Sequence, residues 1–179
     1  MILRLSQKLN KKIGAGTLST LPLDENPYAD WSCHLFTADR TQYIIMSNTK
    51  SLYSCVMYGR GITNDSRFTE RALSTIREFM EDDGQSFVYQ RFIIPSTGTV
   101  SFGKALNRSV TGSMNELIDA AKMYLVEDDM APHEVGFKLN GILLSTLKNA
   151  AGRKYAEPRD AFKRLAGARD VIDAGEGTP

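Results

Sequence analysis

The chain has 179 residues, a formal net charge of +1 and a hydrophobic fraction of 42%. A chain of this length favours one domain that buries well over half of its unfolded surface without disulfides. The near-neutral charge excludes a bulk field that would draw the whole molecule to nucleic acid or anionic lipid. No window approaches the ~18 apolar residues of a membrane span, so we expect a cytoplasmic protein without a membrane partner.

Strands dominate the predicted elements of the first third of the chain. The apolar stretch 2–5 predicts a strand or the first turns of a helix, followed by a basic helical turn. Alternating residues predict a hairpin formed by 31–37 and 42–47, with its turn at Asp39 and Arg40. Residues 51–58 predict a third strand.

Two long helices are predicted from apolar residues at helical spacing. The first begins at Asp65 or Ser66, and the second covers 109–126. Their buried faces comprise Phe68, Ala72, Leu73, Ile76, Phe79 and Met80 in the first, and Val110, Met114, Leu117, Ile118, Ala121 and Leu125 in the second.

Two aromatic stretches, 87–94 and 99–102, flank a Pro-Ser-Thr-Gly turn and predict a second hairpin. Pro158 predicts the first turn of a last helix. The sequence therefore predicts an α+β domain over residues 1–166, with a mobile tail at 167–179. Its sheet is expected to be mainly antiparallel and built from hairpins, with both long helices on one face.

The run N-R-S-V-T-G-S-M-N opens the second predicted helix and is the strongest candidate for a ligand site. Free backbone N–H groups at a helix start attract anions, and an arginine there adds a bidentate donor. The candidate ligand-binding residues are Asn107, Arg108, Ser109, Ser113 and Asn115. The alternative is simple capping, for which the side chain of Ser109 or Asn107 suffices.

Helical spacing places four polar residues of this region on the face away from the apolar stripe. These residues are Arg108, Thr111, Asn115 and Asp119.

Basic residues accumulate near the C-terminus and offer a second, alternative site. Those that would contact the phosphates of a nucleic acid are Lys148, Arg153, Lys154, Arg159, Lys163 and Arg164. Tyr155 and Phe162 lie between them, as stacking contacts would. The alternative is a solvated last helix, which the sequence pI of 7.7 favours.

The residue pattern indicates neither a metal site nor a known catalytic motif. Cys33, Cys55, His34 and His133 lack the C-x-x-C and H-x-x-x-H spacings of zinc ligands. Adjacent residues of a strand point to opposite faces, so Cys33 is expected in the core and His34 is expected to be partly exposed. No nucleophile elbow, phosphate loop or dinucleotide fingerprint is present. We therefore expect no metal and no cofactor, and we assign no catalytic residue.

Six motifs, in their order along residues 1–166, resemble an uncharacterised bacterial family catalogued as a domain of unknown function. They read M-I-L-R-L-S-Q-K-L, W-S-C-H-L-F-T-A-D-R, S-N-T-K-S-L-Y-S, N-R-S-V-T-G-S-M-N, F-K-L-N and P-R-D-A-F. The resemblance implies a small cytoplasmic bacterial protein. The family has no established reaction, cofactor or partner, so the resemblance assigns no site residue.

The sequence favours a non-catalytic binding or regulatory module, with an anionic ligand or a protein as its partner. One alternative is a small enzyme acting on a phosphate-containing ligand, such as a nuclease, that uses Arg108 and the helix start. The other is a nucleic-acid binder that uses the C-terminal basic residues. The absent catalytic motifs and the near-neutral charge decide this order.

Overall fold

A five-stranded mixed sheet forms the centre of the protein in a computed structural model. The model describes the backbone of residues 1–148, 151–152 and 154–173, with side chains up to residue 165. The strands are β1 (Ile2–Leu5), β2 (Asp30–Ala38), β3 (Thr41–Asn48), β4 (Ser54–Tyr58) and β5 (Ser101–Gly103). In space they follow the order β4-β3-β2-β1-β5, and β1 is parallel to both of its neighbours.

Helices and a small second sheet surround these strands. The helices are α1 (Gln7–Ile13), α2 (Asp65–Asp82), α3 (Ser86–Val88), α4 (Arg108–Val126), α5 (Pro132–Leu139) and α6 (Pro158–Asp173). The second sheet pairs β6 (Leu144–Lys148) with β7 (Lys154–Ala156). Within the described residues, no helix is both long and apolar enough to cross a bilayer.

The hairpin and the two long helices predicted from the sequence are confirmed. Strands β2 and β3 pair in antiparallel register with Ala38 opposite Thr41, which leaves a two-residue turn. Asp39 and Arg40 both have positive φ there, at 39° and 63°, as the tight turn of a twisted hairpin requires. Helices α2 and α4 bury the predicted apolar stripes, although Leu73 and Val110 are only half-buried.

The prediction that both long helices pack on one face is wrong. One face of the sheet, called here the α2 face, packs against α1, α2 and α6. The opposite face, the α4 face, packs against α4, α5 and the small sheet. The reason is visible in β3, where Ile44 and Met46 enter the first core and Ile45 enters the second. Consecutive apolar residues are the signature of a strand that is buried on both faces.

The predicted second hairpin is also wrong. Residues 86–96 form α3, then a π-helical turn (Tyr89–Ile93) and a 3₁₀ turn (Ile94–Ser96), and only β5 is extended. β5 pairs with β1 in parallel, so the sheet is mixed. Packing outweighed strand propensity here: Ile93 is buried, and Tyr28 stacks on Phe92 with ring centroids 4.9 Å apart.

The predicted tail, 167–179, lies outside the residues whose side chains are described, and its mobility stays a prediction. The backbone of α6 runs to Asp173.

Candidate functional site

A groove of about 1340 Å³ opens beside the carboxyl ends of the three parallel strands. Leu5 ends β1 and Ser6 follows it, Lys104 and Ala105 follow β5, and the second half of β2 supplies residues 34–37. Helix α4 forms the opposite wall with Thr111, Asn115, Ile118, Asp119 and Lys122. In open α/β sheets, ligand sites lie beyond the carboxyl ends of the parallel strands, and this groove has the same position in a mixed sheet.

Cations outnumber carboxylates in the lining of this groove. Four of the described lining residues are lysines, namely Lys8, Lys11, Lys104 and Lys122. Asp119 is the one carboxylate among the described lining residues, and its Oδ1 lies 3.4 Å from Nζ of Lys122. Charges that line one concave surface reinforce each other's potential, so the groove attracts anions in a chain whose net charge is only +1.

His34 lies in this groove with its imidazole almost enclosed. It is 9% exposed, and within the described part of the chain no residue forms a hydrogen bond with its ring. Burial disfavours the charged imidazolium and therefore lowers the pKa of His34 below its ordinary value of 6.5. The ring is consequently neutral at pH 7, with one N–H donor and one acceptor nitrogen unused. The sequence prediction that His34 is partly exposed is wrong, because α4 covers this part of β2.

Asn10 supplies another unused polar atom at the same groove. Its amide nitrogen donates to the carbonyl oxygen of Gly16 at 2.9 Å. Its Oδ1 is buried and has no hydrogen-bond partner among the described residues. Buried acceptors without partners are rare in folded proteins. Asn10 and His34 both line the groove. The groove therefore contains two side chains with polar atoms that form no hydrogen bond within the described residues.

A buried ion pair joins β1 to the start of β2 and, through Arg4, to the groove residue that follows β5. The Arg4 guanidinium donates to Asp30 through Nε–Oδ1 and Nη2–Oδ2, both at 2.7 Å, and both residues are 1% exposed. Arg4 also donates to the carbonyl oxygens of Leu21, Pro22 and Lys104. One side chain of β1 thus fixes β2, the loop before it and the residue after β5. Excellent geometry of this kind is what offsets the cost of burying two charges.

The five residues predicted at the start of α4 do not converge on one point. Asn107 is the N-cap, and its side-chain oxygen accepts from the Val110 N–H at 3.0 Å. Arg108 and Ser109 are exposed and do not line the groove. Ser113 is buried, with its Oγ 2.9 Å from Thr146 Oγ1 on β6. Asn115 alone of the five lines the groove.

The predicted polar face of α4 is divided in the same way. Thr111, Asn115 and Asp119 line the groove together, and Arg108 does not. The helical spacing therefore predicted three residues that line the groove, whereas the run at the start of the helix lies mostly outside it.

The C-terminal basic residues are spread over several environments. Arg159 is bound to Asp83, with Nη2 3.0 Å from Oδ1. Lys148 and Lys154 are exposed and face each other across β6 and β7. Lys163 is exposed, and Arg164 donates to the carbonyl oxygen of Lys148 at 2.9 Å. Arg153 lies outside the described residues.

An aromatic residue of this segment faces inward. Phe162 is buried and stacks on Tyr53 with ring centroids 4.3 Å apart. Tyr155 is exposed. Of the two predicted stacking residues, only Tyr155 is open to a base.

The cysteines belong to the core of the α2 face. Cys33 and Cys55 are buried free thiols. Burial raises the pKa of Cys33, and the nearby Cys55 and Asp30 raise it further, so both thiols stay protonated and unreactive. The described residues contain no group of three or more His, Cys, Asp or Glu side chains placed to hold a metal ion.

Sequence reasoning missed most of the groove. Lys104 and Lys122 lie far from Lys8 and Lys11 in the chain, and only the parallel pairing of β5 with β1 brings Lys104 to the same edge. The signal that could have found Lys8 and Lys11 is a basic helical turn placed directly after a short apolar strand.

The fold and the groove define a mixed-sheet α+β domain with an open basic groove at the ends of its parallel strands. Residues 2–161 match the sequence pattern of a family described as a domain of unknown function, DUF6933. The chain belongs to this family, as the sequence motifs predicted. No curated protein matches the chain.

Proposed function

We propose that this protein is a binding module for a small anionic ligand that carries phosphate, and that the ligand occupies the groove beside β1 and β5. The observation that carries the proposal is the unpartnered, almost enclosed ring of His34 among four lysines. Free donors in a concave, cationic surface are the arrangement that recognises an oxyanion.

The roles of the groove residues follow from their chemistry. Lys8, Lys11, Lys104 and Lys122 supply the positive field and mobile ammonium donors. The neutral His34 ring donates one fixed N–H, which adds direction without adding charge. Asn115 and Asn10 supply amide groups for the uncharged part of the ligand. A module that only binds its ligand needs no catalytic residue in addition to these.

Thermal stability in the presence of defined anions tests this proposal. A ligand that binds only the folded state raises stability by about 2.7 kcal/mol at about 100 times its Kd. We expect pyrophosphate and orthophosphate to raise Tm more than chloride does at equal ionic strength. Citrate is included because it separates phosphate recognition from the recognition of any polyanion.

A pair of charge-reversed variants supplies the matched control. Lys8→Glu with Lys104→Glu reverses two exposed groove cations, and the stabilisation by phosphate should disappear with the fold intact. Lys50→Glu with Arg71→Glu makes the same charge change at exposed positions outside the groove and should retain it. The proposal fails if no anion raises Tm, or if both double variants lose the effect equally.

An enzyme that acts on a phosphate-containing ligand is the second candidate, and the lowered pKa of His34 favours it. A neutral imidazole that lines a groove is a suitable proton acceptor at neutral pH. Release of inorganic phosphate from phosphate esters, abolished in His34→Gln, would establish this activity. Binding of the ester with no turnover would leave the binding module as the function.

A further inference from the structure

A second groove, of about 860 Å³, lies next to the first and is also cationic. Its described lining includes three cations, Lys12, Arg40 and Arg60, and no carboxylate. Gln42 lines both grooves, and Lys12 donates to its side-chain oxygen at 2.7 Å. The two grooves are therefore neighbours that share a wall.

Three aromatic rings form a row across the sheet; its two end members each line one groove, whereas the middle ring, Tyr43, lines neither. Phe36, Tyr43 and Tyr58 face each other across β2, β3 and β4, as register partners on the α4 face. Their ring centroids are 5.6 Å and 5.4 Å apart along the row. Phe36 lines the first groove and Tyr58 lines the second, where 50% of its surface is exposed.

Arg40 is held in the second groove by a turn that suits glycine better. Its φ of 63° lies in the left-handed region, which is unfavourable for a residue with a Cβ atom. Glycine is the preferred residue at this place in a two-residue hairpin. The side chain of Arg40 therefore occupies the groove at a backbone position where stability alone would favour its removal.

We propose that the two neighbouring grooves together form a track for single-stranded nucleic acid; this inference rests on the proposed function, because phosphates of the strand would occupy the anion site of the first groove. The seven cations along the track meet successive phosphates. The exposed face of Tyr58 receives a base by stacking. Cationic grooves combined with aromatic platforms are the common arrangement in proteins that bind single strands without sequence preference. The exposed ring of Tyr58 favours this ligand over a peptide that carries only acidic side chains, which has no flat ring to stack.

Fluorescence anisotropy of labelled oligonucleotides tests the track. Strands of about 4 and about 12 nucleotides lie within the range of site sizes that single binding folds show. We expect the longer strand to bind at least ten-fold more tightly, since only it spans both grooves. Affinity should fall with salt, and each phosphate contact contributes about 0.7 to the slope of log K against log salt.

Variants of the second groove separate its role from that of the first. Tyr58→Ala should weaken the longer strand about ten-fold because stacking is lost, whereas Tyr58→Phe should bind as the unchanged protein does. Arg40→Gly should weaken binding and reduce the salt slope by about 0.7, while Tm stays equal or rises. A merely structural role of Arg40 would lower Tm and leave the salt slope unchanged.

Two charge-reversed control variants test which surface of the protein binds the strand. Arg67→Glu with Arg71→Glu reverses two exposed cations on α2 that line neither groove, and it should retain affinity. Lys163→Glu with Arg164→Glu reverses two of the six C-terminal basic residues and should also retain affinity. A loss confined to this last variant would move the nucleic-acid surface to α6 and overturn the proposed track.

The remaining outcomes are also decisive. Equal binding of orthophosphate, the short strand and the longer strand would reject the track and leave the small-anion module standing. Tighter binding of an acidic peptide than of a strand of equal charge would reject nucleic acid in favour of a protein partner. Failure of every anion to bind would reject the track and the proposed function together.

Discussion

Neighbouring residues of β2 show how differently the two faces of the sheet are filled. On the α2 face, Cys33 is fully buried in an apolar core together with helix α2. On the α4 face, the next residue, His34, is nearly enclosed but has no partner within the described residues and faces a cationic groove. Helix α4 packs on β2, and the groove beside it stays open at the ends of β1 and β5. Incomplete cover, rather than a special motif, creates the candidate site.

A buried pair of charged residues shows the same difference between the α2 face and the α4 face. The strand β1 directs Leu3 and Leu5 into the α2-face core, and Arg4 to the opposite side. There the Arg4–Asp30 pair joins β1 to the start of β2, and Arg4 also donates to the carbonyl oxygen of Lys104, a groove residue. The α2 face therefore stabilises the protein mainly by apolar burial, whereas part of the α4 face depends on a satisfied ion pair. Four measurements, ordered by expected size, examine this difference.

The largest effect is expected at the ion pair. Asp30→Ala leaves the Arg4 guanidinium buried without its carboxylate, and losing one partner of a buried pair costs about 3–5 kcal/mol. Chemical denaturation should show this loss in the free energy of unfolding. Arg4→Met combined with Asp30→Leu removes both charges and should cost less than the single change. A cost below ~1 kcal/mol for Asp30→Ala would show that the pair does not organise the α4 face.

Apolar truncations should weaken both faces by a similar amount. Ile76→Ala on α2 and Leu117→Ala on α4 each remove a fully buried side chain. Such changes cost about 2–5 kcal/mol because a transfer term adds to the cavity left behind. Denaturant titration with an unchanged slope would confirm a pure stability effect. If Leu117→Ala costs far less than Ile76→Ala, the core under α4 is weaker than its burial indicates.

The two faces should also differ in how they contribute to the pH dependence of stability. Burial lowers the folded-state pKa of His34, so the unfolded chain binds a proton more readily than the folded chain. Above the pKa of about 6.5 that His34 has in the unfolded chain, the folded protein keeps its full stability. As the pH falls below that value, protonation of the unfolded chain lowers the free energy of unfolding. The unfolding free energy of the unchanged protein should therefore drop more on acidification than that of His34→Gln.

His133→Gln is the matched control for this pH experiment, because it removes the other histidine, which lies outside both grooves. The control should keep the dependence that His34 causes. Equal acid sensitivity in His34→Gln and in the unchanged protein would contradict the assignment.

The smallest effect is expected at Arg108. Its side chain is exposed and the helix start is already capped by Asn107, so Arg108→Ala should change stability by no more than about 0.5 kcal/mol. Stabilisation by phosphate should also stay unchanged, because Arg108 does not line the groove. Loss of that stabilisation in Arg108→Ala would instead establish the anion site that the sequence predicted at the helix start.

The sequence by itself determined the local elements of this protein. The hairpin of β2 and β3, helices α2 and α4 and the start of α6 at Pro158 all follow from periodicity and from residues with fixed local preferences. The family membership also followed from its ordered motifs. These features depend on neighbours within a few residues, which the linear sequence displays directly.

Tertiary structure decided where those elements meet. Parallel pairing of β1 with β5 joins residues about a hundred positions apart, and no short-range pattern encodes that contact. The same pairing assembles Lys8, Lys104 and His34 around one groove, while Ser113, chosen for its place in a motif, turns toward β6. The tyrosine and phenylalanine stretch at 87–94 became helical because burying Ile93 and stacking Phe92 on Tyr28 outweighed its strand propensity. Local preference amounts to a fraction of a kcal/mol per residue, and long-range burial exceeds it.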